Sequence, residues 1–498
     1  LAATAGDVHP PAYYLLLKAW LVLWPASIRI EVAARFLSFV LSLVALVLYA
    51  RVLRMLDLSD PHRRAAWVIV LFLPSLVYYA AEARMYTLLM CYVLAAYIML
   101  GGSHVRNARF SNFVQRRRYG DVRQLRAGIK TPAQAYAPGT SWVPQVRPQT
   151  FHLPRLTPQF GSFLLDLVRG ACGGTLILGA ALTHNAGIVW GGLILVVLWV
   201  WGDKFTRALC EIAAGIAVIG YTVSWLPMFV GQLFSTRANY WTWANGLGTA
   251  AYMQFLSLFY SPHIPDNGVD ALLMFLVGGL TTWGVVALAR KQPRAAALAT
   301  GFPLAALVGS KILGVSFLLH RLMVPGAFFV AIAWGALLTR DDVGRVLAVL
   351  LTVAMVYLNV LALTKGRTAC TYNAVLDAIR KQPADVLYGN NSAIVPVSLY
   401  SGVPAAIMDG YADPLGSGLS DQTLNALGVA SAQLEDLDWK RAWVLWFGVP
   451  GSTEHEARYM ESLITRYDGA EIVPGLGDER FTTGGLYLLE RGDEWVQH

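Results

Sequence analysis

Ten apolar runs alternate with polar connections along most of the chain: 32–51, 65–81, 85–102, 163–182, 186–202, 209–230, 271–289, 296–318, 322–339 and 345–363. At about 17–22 residues, each is long enough to cross a hydrocarbon core of about 30 Å as a helix. The stretch 12–24 is too short and too amphipathic to span, and predicts an interfacial helix. The segment 103–160 is rich in Arg, Gln and Pro without an apolar period, and reads as a poorly ordered loop. Beyond residue 364 the pattern shifts to short apolar runs, "ADVLYGNNSAIVPVSLY", "AAIMDGY", "RAWVLWFGV" and "GLYLLER". Turn residues and a helical candidate at 453–467 separate them, which predicts a small α/β unit. No phosphate-binding glycine fingerprint follows these runs, and no internal repeat is evident. The expected fold is a polytopic α-helical membrane domain over 1–363, followed by a soluble α/β domain over 364–498.

Composition agrees. The chain is 56% hydrophobic and 14% charged, with mean hydropathy +0.49, against about 25% charged residues in soluble proteins. A net charge of +8 invites a nucleic-acid reading, which its distribution rejects. Segment 103–160 carries ten Lys/Arg against one acid, Asp121, whereas 364–498 carries ten Lys/Arg against eighteen Asp/Glu. By the positive-inside rule the connections 51–64, 103–160, 203–207, 290–294 and 339–345 are cytoplasmic. The N-terminus, the turns near 82–84, 184–185 and 320, the loop 231–270 and the tail are then extracytoplasmic. The four cysteines are scattered without disulfide or metal spacing.

With this topology, the conspicuous polar residues at span ends gather on one side. Asp7 and His9 precede the interfacial helix in "DVHPPAYY"; Glu82, Arg84 and Tyr86 lie in "EARMY"; His184 and Asn185 lie in "THNAG". Lys311 sits about two helical turns below His320 and Arg321. Ionisable residues near hydrocarbon mark functional sites by default. Each also has a plainer reading. Asp7 with Pro10 and Pro11 suits a helix start, and Glu82 with Arg84 suits a headgroup-level ion pair. His184–Asn185 suits a helix cap, Lys311 can snorkel, and the aromatic loop "ANYWTWANGLGTAAYMQFLSLFY" suits an interfacial belt or a stacking surface for a sugar or prenyl chain.

A reaction on the outer face has no cytosolic nucleotide sugars, so its donor must arrive on a lipid such as a polyprenyl phosphate. It needs a carboxylate to activate the acceptor hydroxyl and cations to hold the phosphate. Asp7 or Glu82, with His9, Arg84, Arg321 and Lys311, supply these groups.

The segments "DVHPPAYYLLLKAW", "RIEVAARFLSFVLSLVALVLYARVL" and "LPSLVYYAAEARMYTLLMCYVLAAYIML" resemble the bacterial branch of the GT-C membrane glycosyltransferases. That branch is similar to protein O-mannosyltransferases and lipid A aminoarabinose transferases. The likeness is close over about residues 5–102 and looser to about 363. It implies that His9, Pro10 and Pro11 lie beside the lipid phosphate, that Glu82, Arg84 and Tyr86 face the catalytic cavity, and that Arg321 lies near its outer mouth. It also implies an upstream span with an acidic motif carrying the general base; within this chain Asp7 stands in for it.

The implied activity is hexosyl or pentosyl transfer from a polyprenyl-phosphate donor to a lipid, glycan or protein acceptor. It would take place at the outer face of the bacterial inner membrane, among membrane lipids, with no metal or other cofactor and no nucleic acid. A lipid-linked-substrate transporter or flippase, or a non-catalytic membrane subunit, would use the same cavity without chemistry.

Overall fold

The computed structural model describes residues 10–25, 27–101, 158–230, 247–259, 269–313, 320–339, 342–364, 371–389, 394–408, 429–448, 454–467, 470–474 and 483–491. Asp7, His9 and nearly all of the basic segment 103–160 lie outside them. Helices lie within each of the ten predicted runs, with 314–318 of the run 296–318 outside the described residues. They are α2 (Ile30–Met55), the pair α3 (Asp60–Phe72) and α4 (Pro74–Ala80), α5 (Tyr86–Gly101), α6 (Pro158–Thr183), α7 (Ala186–Val200) and α8 (Lys204–Ser224). The series continues with α10 (Val269–Ala289), α11 (Pro293–Leu313), α12 (His320–Met323) running through a 3₁₀ turn into α13 (Ala327–Leu338), and α14 (Asp342–Thr364). The predicted interfacial helix is α1 (Ala12–Val22). Among the described residues, six helices are each long and apolar enough to cross a membrane, and the bent pair α3/α4 makes a seventh.

Two predicted elements differ. The run 65–81 is not one rod: its helices meet at 55°. Leu73 precedes Pro74 and takes an extended ψ of 117°, as the proline ring disfavours the helical conformation in the residue before it. The expected loop 231–270 contains a helix, α9 (Leu247–Phe259). Its Phe255, Leu258 and Phe259 are buried, and Phe259 lies 6.0 Å from the Trp334 ring. The aromatic residues of this stretch therefore fill core as well as marking an interface. Residues 231–246 and 260–268 lie outside the described residues.

The helices sort by how uniformly apolar they are. In the span Arg321–Leu338, made mostly of α13, 89% is buried, against 17% in α14. A helix apolar on all sides belongs at the centre, and α13 is packed by α3, α10, α11 and α14. Close approach depends on small residues: a Cβ on Gly335 would stand 2.9 Å from the His62 ring and 3.0 Å from its carbonyl. There His62 Nε2 lies 2.7 Å from the Ile332 carbonyl, fastening the start of α3 to α13. Valines and leucines of α14, such as Val349, Leu350, Val353 and Val360, stay exposed on its far face, as a lipid-facing helix requires.

The segment 371–491 forms a six-stranded mixed sheet in the order β3-β2-β1-β4-β6-β5. Its strands are β1 (Val386–Gly389), β2 (Ala405–Met408), β3 (Ala430–Ala432), β4 (Arg441–Gly448), β5 (Ala470–Pro474) and β6 (Thr483–Glu490). β3, β2, β1 and β4 run parallel, whereas β6 pairs antiparallel with β4 and β5. Alternation of period two gives the sheet two buried faces. Leu387, Trp443 and Leu445 meet Val375 and Ile379 of α15 (Thr371–Lys381), while Tyr388, Ala442 and Val444 meet Leu463 of α17 (Glu454–Arg466). The apolar run "IVPVSLY" is a helix, α16 (Ile394–Ser401), not a strand.

Asp385 pins the register of β1 on β4, because its carboxylate accepts the Lys440 and Arg441 amides at 2.8 and 3.0 Å. Those amides, that of Arg441 above all, hold its pKa below the ordinary carboxylate value. A depressed carboxylate stabilises the fold above its unfolded pKa, about 3.9, and that contribution disappears as pH falls through the folded value. Asp385→Ala is expected to speed amide hydrogen exchange in β1 and β4 at neutral pH, with the difference from wild type closing below about pH 4. Equal exchange rates at pH 7 would remove the role assigned to Asp385.

Candidate active site

The α4–α5 turn, the α6–α7 turn and α12 meet at one end of the helical bundle. In the first, Arg84 Nε lies 2.9 Å from Glu82 Oε1, with the carboxylate side chain 16% exposed and the guanidinium 50%. The backbone closes the same turn, Arg84 N donating to Glu82 O at 2.8 Å. Partial burial works against the Arg84 charge, but Glu82, then Tyr86 and Tyr78, outweigh it, and the guanidinium pKa lies above its ordinary value. Arg84 is thus a permanent cation. Its contact with Glu82 runs through Nε, so the terminal nitrogens are not consumed by the carboxylate.

Aromatic rings floor this turn. Tyr86 is buried at the start of α5, its ring 5.0 Å from Tyr79 and 6.0 Å from the His184 imidazole. Two guanidinium groups from distant segments, Arg84 and Arg321, both act on the Tyr86 hydroxyl. The Glu82 charge also reaches Tyr13, a buried residue of α1 just after the buried Pro10 and Pro11. The start of α1 thus lies within electrostatic reach of the Glu82–Arg84 turn.

The second turn is shaped by its backbone. His184 Nδ1 accepts the Ala186 amide at 3.0 Å, which places the proton of the neutral ring on Nε2. Gly187 N donates to His184 O at 2.7 Å, and a Cβ on Gly187 would come within 2.0 Å of the Ala180 carbonyl. Only glycine permits so tight a joint between α6 and α7. Asn185 stands at the cap position of α7, without a side-chain capping bond to the helix.

Trp190, one turn into α7, ties this region to the third element. Its Nε1 donates to the Leu322 carbonyl at 2.8 Å, and its ring stacks on Phe302 with centroids 4.6 Å apart. The residue bonded is the one after Arg321, so the indole sets the height of α12 against α7. Helix α9 packs on both α4 and α12, while Trp190, Tyr13 and Tyr79 carry no chemical signal of their own in the sequence. Trp190 resembles any apolar helix residue there, whereas Tyr13 lies inside the quoted "HPPAYY".

Glu82, Arg84, Tyr86, His184 and Arg321 are thus brought together. Lys311 lies exposed in the last turn of α11 beside the exposed Ile312. His320 begins α12, and its side chain lies outside the described set. Among the described residues, no three His, Cys, Asp or Glu side chains group closely enough to hold a metal ion.

No family model and no curated protein matches the chain. Among solved structures, it is similar to ArnT from Cupriavidus metallidurans in the apo state, with 14% identity, 97% of this chain and 88% of that chain covered, and a TM-score of 0.54. ArnT from the same organism bound to undecaprenyl phosphate aligns over the same shares at 14% identity, with a TM-score of 0.48. The archaeal oligosaccharyltransferase AglB from Archaeoglobus fulgidus, in complex with an inhibitory peptide and a dolichol-phosphate, aligns over 88% of this chain and 61% of its own at 11% identity, with a TM-score of 0.42. The chain is a polytopic α-helical membrane protein with the GT-C fold. The likeness to apo ArnT establishes that fold.

Trp190→Phe keeps the ring against Phe302 and removes the donor to Leu322. It is expected to lower stability by about 1 kcal/mol, read as a reduced melting temperature of the purified protein in detergent. An unchanged melting temperature would show that the bond does not hold α12 in place.

Proposed function

We propose that this chain transfers a sugar from a polyprenyl-phosphate donor to a hydroxyl acceptor at the outer membrane face. The observation that carries the reading is the Glu82–Arg84 ion pair beside the packed Tyr86 and His184 rings, with Arg321 on α12 next to the Leu322 carbonyl that Trp190 holds. Two arginines carried to one end of the bundle suit a phosphate oxyanion whose prenyl chain lies between apolar helices. The common fold with ArnT and the HPP and EARMY elements support the same reading.

In this reading the acceptor hydroxyl oxygen attacks the anomeric carbon from the face opposite the phosphate. The carbon–oxygen bond to phosphate breaks, and polyprenyl phosphate leaves with the electron pair. Configuration at the anomeric carbon inverts. Arg84 and Arg321 stabilise the negative charge gathering on the departing phosphate. Glu82 holds Arg84 in place through the 2.9 Å contact. Asp7, with His9 two residues on, is assigned to receive the acceptor proton. His184, its Nδ1 engaged by the Ala186 amide, is assigned to the cavity lining. Lys311, Asn185 and His320 are assigned to the cavity rim, and the sheet over 371–491 to the extracytoplasmic side.

Arg84→Ala is expected to abolish release of radiolabelled sugar from polyprenyl-phosphate donors and to weaken binding of the lipid phosphate, with the protein still folded. Arg84→Lys keeps the charge but not the forked geometry, and is expected to retain a small fraction of turnover. Wild-type release by Arg84→Ala would sink the site assignment. No release by the wild type with any such donor would instead favour a transporter or a non-catalytic subunit.

A further inference from the structure

The break between α3 and α4 leaves backbone carbonyls of the last α3 turn without helical partners. In hydrocarbon each such group costs several kcal/mol. Leu76 and Val77 amides both turn to the Leu73 carbonyl, at 3.0 and 3.1 Å, and Pro74 has no N–H. The Phe72 carbonyl instead accepts from a side chain 287 residues away: Asn359 Nδ2 lies 2.9 Å from it. Asn359 sits in α14 among the apolar Tyr357, Leu358 and Val360, where an amide has no other evident purpose. α14 packs on both arms of the bend, and the bond holds the α3 carbonyl that immediately precedes the hinge.

The two arms are held by different means, α3 by specific polar bonds and α4 by packing against α2, α9 and α14. α3 is clamped by His62 on the Ile332 carbonyl, by Gly335 against His62, and by the Tyr49 hydroxyl on the Ala66 carbonyl at 3.4 Å. α4 has only seven residues and ends two residues before Glu82. It is a lever about 10 Å long at 1.5 Å per residue. A rotation of about 10° at its foot would therefore move the Glu82–Arg84 turn by about 2 Å. Displacements near 1 Å can lower a rate about a hundredfold when they misalign reacting groups.

We infer that Asn359 is a positioning residue, fixing the α3–α4 bend and through it the Glu82–Arg84 pair. The inference rests on the transferase reading for its kinetic consequence, but not for its geometric one. The test uses the full chain in nanodiscs, in a background lacking the native cysteines. Spin labels at Ala81, exposed at the end of α4, and at Ile188, exposed on α7, report the distance from the turn to the fixed part of the site.

Asn359→Leu removes the donor at similar volume. Asn359→Ser bonds back to its own helix and cannot reach Phe72, which covers the case of a misfolded Leu variant. Asn359→Gln keeps an amide. The Leu and Ser variants are expected to broaden or shift the distance distribution and to lower kcat about tenfold or more; Gln is expected to restore both in part. An unchanged distance in the Leu and Ser variants would overturn the inference, whatever their turnover. If the wild type transfers no sugar while the distance still depends on Asn359, the transferase reading fails and the positioning role stands.

Discussion

Hydrocarbon offers no hydrogen bonds, and nearly every informative contact in the helical domain answers that condition. Several polar side chains inside the bundle take backbone carbonyls or each other: Trp190 on Leu322, His62 on Ile332, Asn359 on Phe72, Trp334 on Thr281. Each joins helices far apart in sequence. Their effect is less to add stability, since a net hydrogen bond contributes about 1 kcal/mol, than to select one arrangement. A helix that slid or turned would strand a donor or a carbonyl without water to replace its partner. The charged groups follow the same rule at larger scale, with Glu82, Arg84 and Arg321 collected at one end of the bundle.

The sheet unit was shaped by a different solvent. Strand residues alternate between two buried faces, and polar side chains such as Asp385 anchor strand ends where water reaches them. Its helices α15 and α17 are amphipathic, whereas α13 is apolar all round. One chain thus carries two folding grammars, and the change of grammar near residue 364 is plain in the sequence.

Several misreadings have definite causes. Pro74 was in plain view, and the bend follows from its effect on Leu73. A window that scores only apolarity passes over it. The loop 231–270 was read as surface because Tyr, Trp and Gly there fit an interface, yet Phe255 and Phe259 complete the core beside Trp334. The sequence leaves "IVPVSLY" open between strand and helix, and packing on the sheet makes it α16 despite its β-branched residues. Its proline falls in the first turn, where no amide bond is lost. That Glu82, Arg84, Tyr86, His184 and Arg321 lie at helix ends was legible, because polar residues interrupt otherwise apolar spans there.

By itself, the sequence determined that the chain is a stack of apolar helices followed by an α/β unit, and that its polar groups lie at span ends. These are local properties, written in the length, hydropathy and charge of each segment. Only the tertiary structure decided that Arg321 stands by Tyr86, that Trp190 sets the height of α12, and that Asn359 closes the gap opened by Pro74. Those relations depend on which helix faces which, and on rotations of a few degrees about their axes. Apolar helices in lipid resemble one another too closely for a linear pattern to specify them.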